Sequence, residues 1–471
     1  MPRAQFDFLD LPRQMPKELP VATRLGLDVE IYGHFEPAEA KAQAGRCLDC
    51  GNPYCANGCP VGNAIPQWLE LVRQGRLFEA ATLAHETNPL PEICGRVCPQ
   101  DRLCEGACTL ETGFEAVTIG SIEKYLVDEA FRQGWRPDLS RVKPRAERVA
   151  VIGAGPAGLA CADRLVRAGV GVTVFDRHDE IGGLLTFGIP PFKLEKSVIA
   201  TRRQVLEGMG VRFQLATDVG CDIEFGKLLH EHDAVFVGTG ATTPVDARLP
   251  GQSLPGVLPA LPFLIANARR VLGRTLDADE AAMLDLKGKT VRVLGGGDTA
   301  MDCVRTARRL GAAEVSCVYR RDEAAMPGSR REVKNARDEG VEFLFHRAPL
   351  AIEGEGRVQA LRVARTEAAG RGAFAIVEGE AETLAADVVI LAFGYRASPP
   401  AWLAGHGVAL AENGLIVGGG ASPYQTSLPK LWAGGDALRG ADLVVTAVRD
   451  GRDAAAAMLR QFKSIAIRTA A

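Results

Sequence analysis

No stretch of this 471-residue chain approaches the ~18 consecutive apolar residues that read as a membrane-spanning helix. Its opening, MPRAQFDFLDLPRQMPKELP, has acids and prolines where an export signal would carry an apolar core. Membrane insertion and export are therefore not expected, and a reducing cytoplasm is the expected compartment. Charge of one sign is missing as well: 55 Lys and Arg stand against 58 Asp and Glu, a net −3 that argues against a nucleic-acid partner. No closely spaced cysteine pair occurs after Cys108, which excludes the dithiol chemistry that two-domain disulfide reductases place beside a flavin. No repeat with a period of a few tens of residues is found.

What is present points to nucleotide chemistry. Hydrophobic residues at 47% and 52 glycines suit buried parallel strands joined by glycine-rich turns. The length allows roughly three domains of about 150 residues. In VAVIGAGPAGLACADRL (Val149–Leu165) a short apolar strand ends at Ile152 and runs through Gly153-x-Gly155-x-x-Gly158 into an amphipathic helix. The next strand, VTVFD, ends in the acid Asp176. Gly153 allows the tight turn, Gly155 lets backbone approach a pyrophosphate, and Gly158 lets helix pack on strand. Pro156 and Ala157 open the helix, whose N-terminus offers unpaired N–H groups. Asp176 is placed to accept hydrogen bonds from ribose hydroxyls.

A second fingerprint lies in VRVLGGGDTAMDCVRTARRL (Val291–Leu310), with Gly295, Gly296, Gly297, Asp298 and Thr299 at the turn and helix start. Its next strand ends in SCVYRR (Ser316–Arg321), so cations occupy the place of the acid. Arg320 and Arg321 can grip a 2′-phosphate that an acid would repel, which favours NADP over NAD. Two solvated surface arginines are the plainer alternative.

The first fingerprint then takes the flavin. Gly183 and Leu184 follow Asp176 in IGGLL, Gly240 follows a further apolar strand, and LWAGGDALRGADLVVTAVRDGRDAA (Leu431–Ala455) puts Gly435 and Asp436 ahead of a helix opening at Val444 and Val445. Asp436 suits ribityl hydroxyls, and the helix N-terminus suits the flavin edge where negative charge develops on reduction. An ordinary turn and helix cap is the alternative.

Eight of the twelve cysteines fall between Cys47 and Cys108, as Cys47-x2-Cys50-x4-Cys55-x3-Cys59-Pro60 and Cys94-x3-Cys98-Pro99-x5-Cys104-x3-Cys108. Disulfides are rare in a reducing compartment. The uneven runs with Cys-Pro pairs resemble ferredoxin ligation more than paired zinc ligands, and eight thiolates suffice for two 4Fe-4S clusters. Zinc and free thiols remain alternatives. Cys161, Cys221, Cys303 and Cys317 are expected as small buried hydrophobes.

These patterns predict an α/β protein: two Rossmann-like dinucleotide-binding domains in a glutathione-reductase-like arrangement, preceded by an α-helical iron–sulfur domain. The expected bounds are 1–143 for the cluster domain, 144–256 and 385–471 for a discontinuous FAD domain, and 257–384 for the NADP domain. The return to the FAD domain is expected at the strand DVVILAFGY (Asp387–Tyr395). In the first domain metal is expected to replace apolar burial as organiser.

Over nearly its full length the chain resembles the small (beta) subunits of bacterial NADPH-dependent glutamate synthases. The resemblance is carried by RCLDCGNPYCANGCP (Arg46–Pro60), PEICGRVCPQDRLCEGAC (Pro91–Cys108), AVTIGSIEKY (Ala116–Tyr125), GGLLTFGIPPFKLEK (Gly182–Lys196), LGGGDTAMDCVRTA (Leu294–Ala307) and YRRDEAAMPGSRREV (Tyr319–Val333). It implies that Cys47, Cys50, Cys55 and Cys108 hold one cluster and Cys59, Cys94, Cys98 and Cys104 the other. Asp176 departs from the Glu usual in such flavoproteins. The implied activity is hydride transfer from NADPH to FAD with no side chain acting as acid or base, then single electrons through the clusters to a large (alpha) subunit. That subunit carries FMN and an iron–sulfur centre, makes L-glutamate from L-glutamine and 2-oxoglutarate, and assembles with this chain as a hetero-oligomer. Met1-Pro2 leaves no N-terminal cysteine for a glutamine amidotransferase. Electron-input subunits of NADPH-ferredoxin oxidoreductase or dihydropyrimidine dehydrogenase type are similar and stand as the alternative.

Overall fold

Val149, Ala150, Val151 and Ile152 are all buried, as a strand covered on both faces requires. In the computed structural model, which describes residues 6–370, 373–420 and 422–470, this strand is the centre of a five-stranded parallel sheet. Its order is Leu431–Ala433, Ala234–Val237, Arg148–Ile152, Gly171–Phe175, Arg212–Gln214. Ile152 stands in register with both Phe175 and Val237, and Val237 with Ala433. Neighbours to left and right thus leave the central strand in opposite directions, which opens a crevice at its C-terminal end.

The second sheet is also parallel, in the order Val257–Pro259, Val388–Leu391, Thr290–Leu294, Glu314–Val318, Glu342–Leu344. Here one expected boundary is corrected. The strand Val388–Leu391 does not return to the first sheet at 385; it inserts between Val257–Pro259 and Thr290–Leu294. An apolar run has no mark of which parallel sheet it enters, and the pairing partners decide. The return comes later, through a two-residue antiparallel pairing of Tyr395–Arg396 with Thr243–Pro244. In the chain between Glu342–Leu344 and Val388–Leu391, Arg347–Glu353, Ala360–Ala368 and Phe374–Ala385 form a separate antiparallel sheet.

The N-terminal region is helical, with helices Pro37–Gly45, Ile65–Gln74, Leu77–Thr87, Pro91–Val97 and Ile119–Arg132. It has an apolar core of its own around Trp68, Leu69, Ile122 and Leu126, so the expectation that metal replaces apolar burial there is also corrected. The region is joined to the first sheet's domain by a pair buried on both sides: Arg202 donates to Glu92 at 2.7 and 2.6 Å. Lys193, at 2.9 Å from Asp302, joins the first sheet's domain to the second.

The C-terminal helix Val444–Ala470 lies along the first fingerprint helix, Pro156–Arg167. Their closest approach is at Gly451, where an added Cβ would stand 1.9 Å from the Ala157 carbonyl oxygen. Gly451→Val should therefore separate the helices, cost about 1–3 kcal/mol as an overpacked core site, and lower flavin retention. Melting temperature and bound flavin per chain test this, with Gly208→Ala as control, since a Cβ there meets nothing.

Candidate functional site

The residues assigned to the first fingerprint gather at the C-terminal ends of its sheet. Gly153 has φ +100°, and a Cβ there would come within 2.5 Å of the Gly238 carbonyl. A Cβ on Gly158 would meet the Gly153 carbonyl at 1.9 Å, whereas one on Gly155, which caps the helix opening at Pro156, would meet nothing. The turn is packed on its inner side and open on its outer side, a cradle for a phosphate. Asp176 braces it: one carboxylate oxygen accepts the Ala154 N–H at 2.7 Å and the other the His178 N–H at 2.8 Å. Gly183, at φ +54°, places its missing Cβ 3.1 Å from Gly155 Cα, and Leu184 begins the short helix beyond it. Gly240 follows the strand Ala234–Val237 with open space around it.

Gly435, φ +67°, would put a Cβ 3.0 Å from that of Ala157. Its N–H donates to Asp450, which is buried and held bidentately by Arg439 at 2.7 Å on each oxygen. Burial pushes the Asp436 carboxyl up to about 7, which suits a ligand hydroxyl that donates to it. Val444 and Val445 open the C-terminal helix.

Around the second fingerprint, Gly295 has φ +139° and lies against the Ala392 carbonyl, and Gly296 lies against the Tyr319 ring. Gly297 caps the helix Asp298–Arg309, in which Thr299 is the second residue. Asp298 accepts the Ser329 N–H at 3.0 Å and Gly328 donates to the Gly296 carbonyl, so the Pro327–Ser329 loop folds against the turn. Arg102 from the N-terminal region donates to the carbonyls of Pro327 and Gly328. Arg320 is exposed, with its guanidinium 4.8 Å from the Phe374 ring centre. Arg321 donates to the Tyr319 hydroxyl at 3.1 and 2.8 Å. Both cations stand just beyond the strand Glu314–Val318.

The eight cysteines divide into two quartets. Cys47, Cys50, Cys55 and Cys108 line one cavity; Cys59, Cys94, Cys98 and Cys104 line another, and Ile119 belongs to both walls. Burial pushes Cys59 up to about 11 and Cys55 up to about 12, so these thiols would ionise only in exchange for a tightly held cation. Among the described residues no three His, Cys, Asp or Glu side chains converge on a point for a single ion. Sulfur donors arranged around a cavity fit a multinuclear cluster. Of the four remaining cysteines, Cys161, Cys303 and Cys317 are buried; Cys221 is exposed, contrary to expectation.

Several residues of the site carry no motif. Thr239 Oγ1 is buried beside Gly153 with no hydrogen-bond partner in the chain, an orphan hydroxyl that a ligand would satisfy. Asp450 lies a whole helical segment away from Gly435 in sequence, and only their pairing reveals its part. Val445, expected at the first fingerprint's ligand, also lines the cavity of Cys59, Cys94, Cys98 and Cys104, and so does Glu123. The Glu123 carboxyl accepts from Asn63 and Asn88 at 3.2 and 3.3 Å.

Comparison with known proteins gives the class first. Residues 27–135 match the family described as dihydropyrimidine dehydrogenase domain II, 4Fe-4S cluster, and residues 147–451 match pyridine nucleotide-disulphide oxidoreductase. The fold is shared with Mycobacterium tuberculosis FprA in complex with NADPH, at TM-score 0.58, 20% identity, 69% of this chain and 86% of that one. Fold and family matches define a pyridine-nucleotide flavoprotein oxidoreductase with an N-terminal 4Fe-4S domain. The chain is 56% identical over 459 residues to the glutamate synthase (NADPH) small chain of Escherichia coli strain K12, covering 96% of this chain and 97% of that one. It is 46% identical over 468 residues to the small chain of Azospirillum brasilense, covering 95% and 94%. The chain belongs to the glutamate synthase (NADPH) small-chain family. It is also 54% identical over 454 residues to the putative oxidoreductase AegA of Escherichia coli, covering 94% of this chain and 69% of AegA.

Burial raises Glu123 from an ordinary 4.5 to about 8, so it is protonated at neutral pH. A raised carboxyl pKa means that stability is lost as pH climbs from 4.5 through 8. An infrared carbonyl band of a protonated acid, present at pH 7 and absent in Glu123→Gln, is the expected signature, and the variant should lose less stability than the parent over that window.

Proposed function

We propose that this chain is the electron-input subunit of an NADPH-dependent glutamate synthase: it oxidises NADPH and passes electrons to a large subunit that forms L-glutamate from L-glutamine and 2-oxoglutarate. The observation that carries this reading is the 56% identity with a glutamate synthase small chain along 96% of this chain. A bound flavin accepts a hydride and releases electrons singly, and iron–sulfur clusters carry single electrons.

The chain's own residues supply position and electrostatics. FAD would be held by the open edge of Gly155 and the N–H groups at the start of Pro156–Arg167, with Ala157 and Gly158 giving close packing beneath. Asp176 still has lone pairs for ribose hydroxyls after bracing the turn. Gly435 is fixed by Asp450, which leaves Asp436 to accept from ribityl hydroxyls, and the helix opening at Val444 and Val445 presents its positive end. NADPH would lie on Gly295, Gly296, Gly297, Asp298 and Thr299, with Arg320 and Arg321 taking the 2′-phosphate. Two 4Fe-4S clusters would be held by Cys47, Cys50, Cys55 and Cys108 and by Cys59, Cys94, Cys98 and Cys104. Val445 in the wall of the second quartet sets that quartet on the flavin side, with Ile119 between it and the first. No acid or base is required of the chain in hydride transfer, and the catalytic contribution is orientation.

The AegA match favours a second reading, an NADPH-ferredoxin or dihydropyrimidine dehydrogenase type of input module within another assembly. An anaerobic assay of the purified chain, with and without a glutamate synthase large subunit, separates the two. NADPH oxidation dependent on glutamine and 2-oxoglutarate, and only with the large subunit, is expected. Flavin bleaching by NADPH without glutamate formation would move the acceptor elsewhere. In the same assay Arg320→Glu should lower kcat/KM for NADPH by about 10- to 100-fold, the loss of a charge-assisted contact, while kcat/KM for NADH changes much less.

A further inference from the structure

The two cysteine cavities differ in depth. The one holding Cys59, Cys94, Cys98 and Cys104 is walled by buried Glu123 and Val445, whereas the one holding Cys47, Cys50, Cys55 and Cys108 is walled in part by exposed Tyr54 and Thr109. All four cysteines of the outer quartet are partly exposed, against three of the four in the inner one, where Cys94 is buried.

Around that outer cavity the surface is unusually apolar. Ten large apolar side chains are exposed among the described residues, and four of them, Phe6, Leu9, Tyr54 and Phe114, lie here at 61, 59, 54 and 47% exposure. Clustering of such residues marks an interaction surface, while scattered ones do not. Phe8 bridges Phe6 and Phe114, 6.3 Å from the first and edge-on to the second at 4.9 Å between ring centres. The patch is tied to the cavity from below. Buried Arg46 donates to the carbonyls of Leu11, Phe114, Glu115 and Ala116 at 2.6–3.0 Å, and Cys50 Sγ lies 3.3 Å from the Thr109 hydroxyl.

Two further features single out this face. Asp49 and Glu115, at φ +54° and +58°, are two of the five non-glycine residues in the left-handed region among those described. Such backbone is strained by roughly 1–3 kcal/mol per residue and is retained where the surroundings impose it. The rim carries exposed acids, Asp10, Glu111 and Glu115, while nearby Arg13 turns inward to Glu105 at 2.6 Å.

We propose that this face is where the large subunit docks, through a surface with an apolar centre and a basic rim. The proposal rests on the functional reading above and adds the place and chemistry of the contact. A second copy of this chain would set acid against acid, and an acidic soluble carrier would meet the same repulsion. A basic rim answers the charge, and the patch is continuous with the last cysteine quartet before solvent.

The test uses the full chain with its flavin and iron, and purified large subunit. Two variants, Leu9→Ser/Asp10→Lys and Phe114→Ser, are compared with Glu380→Lys on the remote antiparallel sheet. Dissociation constants are measured by sedimentation at low and high salt, with iron and flavin content and NADPH–ferricyanide turnover as controls. Both face variants should weaken binding by about 10-fold or more, as interface-centre residues do, and the Asp10→Lys variant should flatten the salt dependence. Iron, flavin and ferricyanide turnover should hold, and Glu380→Lys should bind as the parent does. A measurement without substitutions backs this up: binding should slow amide exchange at residues 6–11, 48–57 and 109–116. Binding of the parent with unchanged affinity in the variants, or with no slowing of exchange there, overturns the docking face and leaves the functional reading intact. Failure of the parent to bind overturns both.

Discussion

The C-terminal helix lies on the first fingerprint helix at a distance only glycine permits, and the functional geometry hangs on that contact. With Gly451 against the Ala157 carbonyl, the start of the same helix is carried to the mouth of the fingerprint turn, and Val445 enters the wall of the inner cysteine cavity. One residue beyond Gly451, Arg452 donates to the carbonyls of Val61 and Thr87 in the cysteine-bearing region at 2.6 and 2.8 Å. One residue before Gly451, Asp450 fixes both Gly435 and Arg439. A single helix therefore positions the Gly435 loop, closes the inner cavity and ties down the N-terminal domain. Each of these ties would shift if the helices stood farther apart.

The second fingerprint's domain is held in place by charge more than by apolar packing. Lys193 reaches Asp302, and Arg305 spans Glu332 and Glu339, all at low exposure. Arg24 from the N-terminal region adds a contact to Glu339 at 3.2 Å. Phe192 lies between the Arg305 and Arg309 guanidinium groups, 4.3 and 4.0 Å from its ring centre. Buried pairs contribute little net stability, since desolvation offsets most of the attraction, but removing one partner strands a charge. Rotation of this domain would strand Lys193 and Arg24, whereas Arg305 and its two carboxylates would move together. The network thus resists reorientation of the two nucleotide sites while leaving each turn open to solvent.

Local chemistry was legible in the sequence where a residue's role follows from its own backbone. Gly153, Gly158 and Gly295 are needed because a Cβ would strike a carbonyl within the same turn or the adjoining strand, and the spacing of the motif records this. The α/β class, with a helical cysteine-rich region ahead of two parallel sheets, followed from alternating apolar strands and glycine turns. Sheet membership did not: Val388–Leu391 is apolar enough for either sheet, and its neighbours are set by chain segments about 100 residues away. Glu123, Thr239 and Asp450 were silent for a related reason. An acid or hydroxyl in a helix or loop reads as solvated until tertiary packing buries it, and each of these is buried by elements remote in sequence. The apolar core around Trp68 was hidden by the cysteines, whose spacing suggested that metal organised much of the region.

That core explains how the cysteines can stand at the ends of short, irregular segments and still form quartets. Ile119 and Leu69, both buried, belong to the core and to a cavity wall at once, so the sulfur positions are set by side-chain packing as well as by the chain between them. The same burial that raises Cys55 and Cys59 would strengthen their hold on a metal centre once they are ionised. The inner quartet includes the one buried cysteine of the eight, Cys94, beside Val445 and Glu123, and the outer quartet opens between Tyr54 and Thr109. Burial eases from the wall of Glu123 and Val445 to the rim of Tyr54 and Thr109, the direction that the proposed one-electron path would take without any moving part.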